Sequence, residues 1–248
     1  MNENEKHLNE FLQTKKENYS DIFENSINCK KVGFQTESMG IDLIYATMHI
    51  LAQKLLISLD YANQSIDKRS LLDVGSQFSF VSFASAFFKV TFIEPRAQHL
   101  KFYVPNVCDV TGISGEAQNL PIHDNSFDYV TSFHAIEHFG LGRYGDTLDY
   151  FGDQKGIKEF SRVLKPGGFL ITGVPTSKKS TIEFNGQRKY FHKDFDKIVE
   201  QTGLRKQKGF ISYHPGIFDD GTLFAPVESI QDYPEHFTPP VYIAVYKK

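Results

Sequence analysis

Acidic and imidazole side chains gather at three places in this chain, each where a short apolar run gives way to polar sequence. The densest is FHAIEH, which holds His134, Glu137 and His138. Positions i, i+3 and i+4 share a face wherever the backbone turns helically, so the two imidazoles and the carboxylate are expected to converge. A neutral His134 there suits a general base that takes the proton from an acceptor hydroxyl, a role worth typically ~10²–10⁴-fold in rate. A metal site would need more donors than this trio, so no metal is expected. The second place is LLDVGSQFSF, where Asp73 and Gly75 end an apolar run and Ser76, Gln77 and Ser79 offer hydrogen-bond donors. In an open parallel sheet a glycine at such a strand end lets a ligand approach the backbone, and the helix that follows offers free amide hydrogens. The third is TFIEPR, with Glu94 placed 19 positions after Gly75. An acid at that spacing sits where the ribose hydroxyls of a nucleoside are held, each charge-assisted bond contributing about 1.5–3 kcal/mol.

These residues need strands to carry them. The spacing predicts strands at 70–75, 89–95, 113–116, 127–134 and 168–175, alternating with helical segments, which is the pattern of βαβ units and a parallel sheet. Between the first two strands, 78–88 is apolar almost all round and reads as a buried helix. An amphipathic helix is expected at 157–164, stopped by Pro166-Gly167-Gly168, and another at 192–202, ended by Gly203. LRKQKGFISYHP and VYIAVYKK read as two late strands, separated by a long loop containing Asp219, Asp220 and Gly221. Upstream, apolar residues from Ile41 to Leu59 fall at helical spacing, and the polar 1–34 segment reads as an accessory helix or arm. The expected division is an N-terminal helical extension at 1–66 and an α/β domain at 67–248.

Composition narrows the function. The formal charge is −3 with no basic block, so nucleic acid is not an expected partner. Two cysteines, Cys29 and Cys108, match neither a disulfide framework nor a zinc pattern, which fits a reducing cytoplasm. No stretch approaches the ~20 apolar residues of a membrane span. With 23 Phe and no Trp, a phenylalanine-filled core is expected.

The run GEAQNLPIHDNSFDYVTSFHAIEH resembles the E-A-x-x-L-P-F-x-D-x-S-F-D-x-V segment of class I S-adenosylmethionine (SAM)-dependent methyltransferases. An amphipathic helix, VLKPGG and a further strand follow, as in that superfamily, and the likeness covers roughly 70–203. It implies an α/β, Rossmann-like three-layer sandwich, with a mostly parallel seven-stranded sheet in the order 3-2-1-4-5-7-6 and the last strand antiparallel. It also implies SAM as cofactor, with Glu116 and Ala117 beside the adenine and with Phe133 and His134 near the methionine moiety and methyl group. Asp73, Gly75, Ser76, Gln77 and Glu94 complete the expected cofactor side. One departure stands out: the superfamily has G-x-G-x-G after the first strand, and this chain has GSQFS. A Cβ at Gln77 narrows the backbone approach, and the bulk of Phe78 is expected to fill cofactor space.

A narrower likeness lies in IEHFGLGRYGD, continued by TLDYFGD and FNGQRKY, which is similar to a methyltransferase-like family found with surface-glycan gene sets. It implies a small, sugar-type acceptor methylated on a hydroxyl or carboxyl, with Arg143 and Tyr144 on the acceptor side. Arg143 has the planar donor fork that suits a carboxylate or phosphate, and pairing with Asp146 to fix the loop is the other reading. Arg188 and Tyr190 share that ambiguity. The alternative function is a methyltransferase-fold binding or scaffold module without SAM chemistry, and another reaction on a nucleotide or sugar in the same crevice is the third.

Overall fold

Neighbouring leucines define the layers. Leu72 and Val74 enter one apolar cluster and Leu71 the other, because side chains alternate across a strand. The computed structural model describes residues 3–15, 19–23, 27–29, 43–61, 67–95, 110–212, 224–229 and 240–248. Asp219, Asp220, Gly221 and Cys108 lie outside these. In chain order the elements are α1 (Glu3–Gln13), β1 (Ile27–Cys29), α2 (Leu43–Tyr61), β2 (Ser70–Val74), α3 (Phe78–Ala84), β3 (Lys89–Ile93), β4 (Val110–Ile113) and β5 (Phe127–Phe133). Then come α4 (Gly152–Val163), β6 (Leu164–Pro175), β7 (Thr181–Phe184), β8 (Arg188–Lys189), α5 (His192–Glu200), β9 (Arg205–Ser212), β10 (Phe224–Pro226) and β11 (Val241–Lys247). Among the described residues no helix is long and apolar enough to cross a membrane.

The main sheet runs β10-β9-β11-β6-β5-β2-β3-β4. From β4 to β6 all neighbours are parallel, and β11 is antiparallel to both β6 and β9. Apart from the edge strand β10, this is the order 3-2-1-4-5-7-6 with its last strand reversed. β10 makes the sheet eight-stranded rather than seven, pairing antiparallel with β9. Met48, Leu56, Phe80 and Val81 of α2 and α3 cover one face. Ile157, Phe160, Phe195 and Ile198 of α4 and α5 cover the other, together with Phe11 and Phe23 from the N-terminal segment.

Several boundaries differ from expectation. The third strand lies at Val110–Ile113, just before the expected 113–116. α3 stops at Ala84, and Phe83 and Phe87 are exposed, so this helix is not buried all round. α4 begins at Gly152, five residues early, and ends before Pro166, so that β6 already starts at Leu164. A second sheet was not foreseen: β7 and β8 form a hairpin, and β1 adds to β7 in parallel. Asn185 turns this hairpin with φ +59°, and Gly186 N–H donates to the Glu183 carbonyl. The Asn-Gly pair between alternating apolar residues in TIEFNGQRK is the signal that marks such a hairpin.

Candidate functional site

The parallel strands end together, and their ends are where ligands bind in this class of sheet. β2 gives way at Gly75, whose φ of +76° is cheap only for glycine; a Cβ there would lie 2.8 Å from that of Ala135. That turn is braced from behind by Asp73, which is fully buried. Its carboxylate accepts from Ser76 N–H (3.1 Å), Ser76 Oγ (2.7 Å) and Thr131 Oγ1 (2.6 Å), while Ser76 Oγ accepts from Phe133 N–H. Burial dominates these bonds and pushes the Asp73 carboxyl up to about 7. Asp73 and Ser76 therefore hold the turn, and Gln77 caps α3 by accepting from Phe80 N–H through its carbonyl. Phe78 packs its ring edge-on to Phe92, inside the α2/α3 layer, so its bulk is not in the cleft.

Beyond β5 the backbone takes a left-handed step at His134 (φ +52°), uncommon for a residue with a side chain. The chain then makes a 3-10 turn at Ile136–His138 in place of the expected α-helical one. The trio still converges. His134 Nδ1 lies 3.0 Å from Glu137 Oε1, and His138 Nε2 lies 3.9 Å from the same oxygen. Glu137 is buried. The contact turns the Nδ1 edge of the His134 ring toward Glu137.

The loop 139–151 is built from several glycines and held from outside. Asp146 accepts from Gly140 N–H (2.7 Å) and Tyr144 N–H (3.3 Å). Burial shifts its carboxyl upward. A Cβ at Gly140 would collide with the Asp149 carbonyl. Arg188 is fully buried: Nη1 donates to the Phe139 carbonyl (2.6 Å) and Nη2 to that of Tyr150 (2.9 Å), with Nε 3.7 Å from Asp153. Tyr190 donates to the same Asp153 carboxylate at 2.9 Å. From the hairpin turn, the Gly186 carbonyl accepts from both His138 Nδ1 (2.8 Å) and Arg143 Nη1 (3.0 Å). The two strings IEHFGLGRYGD and FNGQRKY thus form one unit, with Arg143 and Arg188 both bonded to backbone carbonyls.

A small cleft opens between these parts at the strand ends. Of the residues expected at a site, Gly75, Glu94, Ala117, His134 and Tyr144 line it. His138, expected to converge with His134, and Asp146, weighed as a partner for Arg143, line it too, and Phe139 and Gln118 line it without having been expected at a site. Glu116 holds Thr147 Oγ1 at 3.3 Å, and the Phe133 ring packs on Phe80 (4.8 Å) on the α2/α3 side, away from the cleft. Phe133 was placed by its position at the strand end; the strand's alternation sends its side chain to the other side. Among the described residues, no group of three or more His, Cys, Asp or Glu is arranged to hold a metal ion.

Strand order and strand-end cleft agree with solved structures. A SAM-dependent methyltransferase of the DUF858 family from Leishmania major superposes with a TM-score of 0.58 at 12% identity, covering 84% of this chain and 74% of that one. The chain has the class I methyltransferase fold. A SAM-dependent methyltransferase from Methanosarcina mazei shares that fold with a TM-score of 0.52 at 15% identity, over 76% of this chain and 96% of the other. In sequence, this chain is 45% identical over 67 residues to the demethylmenaquinone methyltransferase of Staphylococcus haemolyticus (strain JCSC1435), which is 26% of this chain. That match spans 23% of the relative's length. The family model described as "Caenorhabditis protein of unknown function, DUF268" matches residues 106–198, which take in Glu116, the histidine trio and the Gly186 hairpin.

Proposed function

We propose that the chain transfers a methyl group from SAM to a hydroxyl or carboxyl group of a small, sugar-type acceptor, with the strand-end cleft as its site. The observation that carries this reading is the convergence of Gly75, Glu94 and His134, from three different strand ends, on one cleft. The residues fit the cofactor: Gly75 leaves open the backbone approach that a Cβ would close, and Glu94 brings a carboxylate to the cleft for ribose hydroxyls. Ala117 and Gln118 line the wall expected to face the adenine. The cofactor supplies an activated methyl group, open to in-line displacement. The chain's own task is alignment and exclusion of water. Glu137 orients the His134 ring, and His134, which lines the cleft, serves as the base for the proton that an acceptor hydroxyl must lose. The Gly75 turn is held rigid by Asp73, so the cleft wall is preformed.

Calorimetric titration with SAM and with its demethylated product tests this directly. Micromolar binding is expected, weakened roughly ten- to hundred-fold in Glu94→Ala by loss of about 1.5–3 kcal/mol of charge-assisted hydrogen bonding. No binding at millimolar ligand would sink the reading.

A further inference from the structure

The N-terminal segment reads in sequence as an accessory arm, yet its contacts fall on the loop that walls the cleft. Tyr150, the buried residue that closes this loop before α4, is held by the arm in three ways. Its N–H donates to Thr14 Oγ1 (2.7 Å), its hydroxyl donates to Asp21 Oδ1 (2.8 Å), and its ring lies 5.2 Å from that of Phe11. Its carbonyl accepts from Arg188 Nη2 on the hairpin side. Asp21 is fixed in turn by an ion pair with Lys15 and by Phe23 N–H (3.2 Å).

The arm also backs the brace. Phe23 is buried with its ring 5.9 Å from the Arg188 guanidinium and 5.6 Å from the Tyr190 ring. Phe11 meets Phe184 of β7 at 5.0 Å, and β1 pairs with the same strand. Gln154 of α4 grips the arm's backbone with both amide atoms: Nε2 donates to the Ser20 carbonyl (2.6 Å) and Oε1 accepts from Ser20 N–H (3.2 Å). From Tyr150 the path to the cleft is short. The adjacent Asp149 N–H donates to the Gly140 carbonyl (2.8 Å), Gly140 N–H donates to Asp146 (2.7 Å), and Asp146 lines the cleft. Through Arg188 the path reaches Phe139, which also lines the cleft and directly follows His138. Buried backbone groups have no water to replace a lost partner, so each bond that holds the loop depends on the geometry of the one behind it.

We infer that segments 11–15 and 19–23 are the positioning element of the loop 139–151, acting through Tyr150. Docked, they hold His138 and Asp146 at the cleft; released, they free the loop while the main sheet stays folded. The inference concerns how the cleft wall is assembled, so it goes beyond the methyltransferase reading and holds for any ligand that the cleft takes. A unit tied to its neighbours by a few side-chain bonds opens at lower cost than the sheet behind it, which gives the two states their order.

The test is native-state hydrogen exchange on the full ¹⁵N-labelled chain, with Thr14→Ala/Asp21→Ala as the releasing variant and Thr14→Ser/Asp21→Asn as the conservative one, which keeps both acceptors. In the releasing variant the Gly140, Tyr144 and Asp149 amides should exchange at least ~tenfold faster, while those of Val74, Thr131 and Ile171 in β2, β5 and β6 stay within about twofold. The conservative variant should keep most of the protection. The Nδ1–H resonance of His138, held by the Gly186 carbonyl, should shift or broaden in the first variant and recover in the second, a signature that a loss of packing confined to the arm would not move. Tyr150→Phe deletes only the bond to Asp21 and keeps the ring, so the same amides should quicken by roughly three- to tenfold. Unchanged loop exchange would overturn the inference. So would faster exchange of loop and sheet together, or a releasing variant that no longer folds, because the arm would then belong to the common core. Neither readout needs a ligand, so failure of SAM to bind would sink the methyltransferase reading and leave this result standing.

Discussion

Two turns meet at the cleft and are held in opposite ways. The first, after β2, is short and depends on one buried side chain: Asp73 bonds to Ser76 and Thr131 within its own layer. The second, from His134 to the start of α4, is long and glycine-rich, and its backbone carbonyls are gripped by Arg188 and its neighbours from a hairpin outside the main sheet. The difference assigns the work. A turn braced from within needs little sequence, so it tolerates GSQFS where relatives of the fold carry more glycines. A loop braced from outside can vary only together with its brace, which accounts for the pairing of IEHFGLGRYGD with FNGQRKY in one unit. Of the residues that line the cleft, His138, Tyr144 and Asp146 all belong to the second turn.

The sharpest way to break this comparison is Arg188→Met. It leaves Asp153 buried without its ion pair and the Phe139 and Tyr150 carbonyls without their donor, for an expected loss of about 3–5 kcal/mol. Urea unfolding measures it, and a loss under 1 kcal/mol would mean that the hairpin is not the brace. Asp73→Ala should cost less, about 2–3 kcal/mol, by leaving buried donors of Ser76 and Thr131 unpartnered. Its effect should reach the Gly75 turn and spare the His138–Gly186 contact, which histidine NMR can follow.

The two turns should also respond to pH with opposite signs. Asp73 titrates near 7 in the folded chain and near 3.8 unfolded, so the folded state binds more protons between these values and its stability falls as pH rises through them. His138 titrates near 4 folded and near 6.5 unfolded, so the unfolded state binds more protons there, and stability is lost as pH falls from 6.5 to 4. Unfolding free energies of Asp73→Asn and His138→Gln across pH 4–7 should therefore tilt in opposite directions relative to the parent chain; a shared tilt would refute the assignment. The smallest expected effect on stability is that of His134→Asn. Asn takes the left-handed step readily and keeps an amide donor for Glu137, so thermal stability should stay nearly level while methyl transfer falls ~10²–10⁴-fold.

Much of the first turn was legible in the residues. Strand ends and the Gly75 to Glu94 spacing are local properties, set by alternation and by where glycine falls, whereas the order of the sheet, apart from its β10 edge, was implied by the resemblance of 70–203 to class I methyltransferases. The second turn was legible only in part. His134, Glu137 and His138 do come together as the spacing suggested, but by another route: a left-handed step at His134 followed by a 3-10 turn at Ile136–His138. Nothing local told Arg143 and Arg188 to turn toward carbonyls, since their partners lie 38 to 49 positions away in sequence. Asp146 was weighed as a partner for Arg143 and instead accepts amides of its own loop, a choice decided by loop closure rather than by charge. Phe78 shows the converse error: its bulk was set against the cofactor, but the first turn of α3 points it to Phe92.

The parallel pairing of β1 with β7 has a consequence for how the chain is made. Ile27 pairs with Ile182, and Ser20 bonds to Gln154 and Gln201, so the N-terminal segment cannot take its place until most of the chain has left the ribosome. At about 5–20 residues per second that wait is on the order of ten to thirty seconds, during which Phe11 and Phe23 have no core to enter. Phe11, Phe23 and β1 are thus late arrivals at the fold, and β1 reaches the hairpin that locks His138 only after that hairpin has been made.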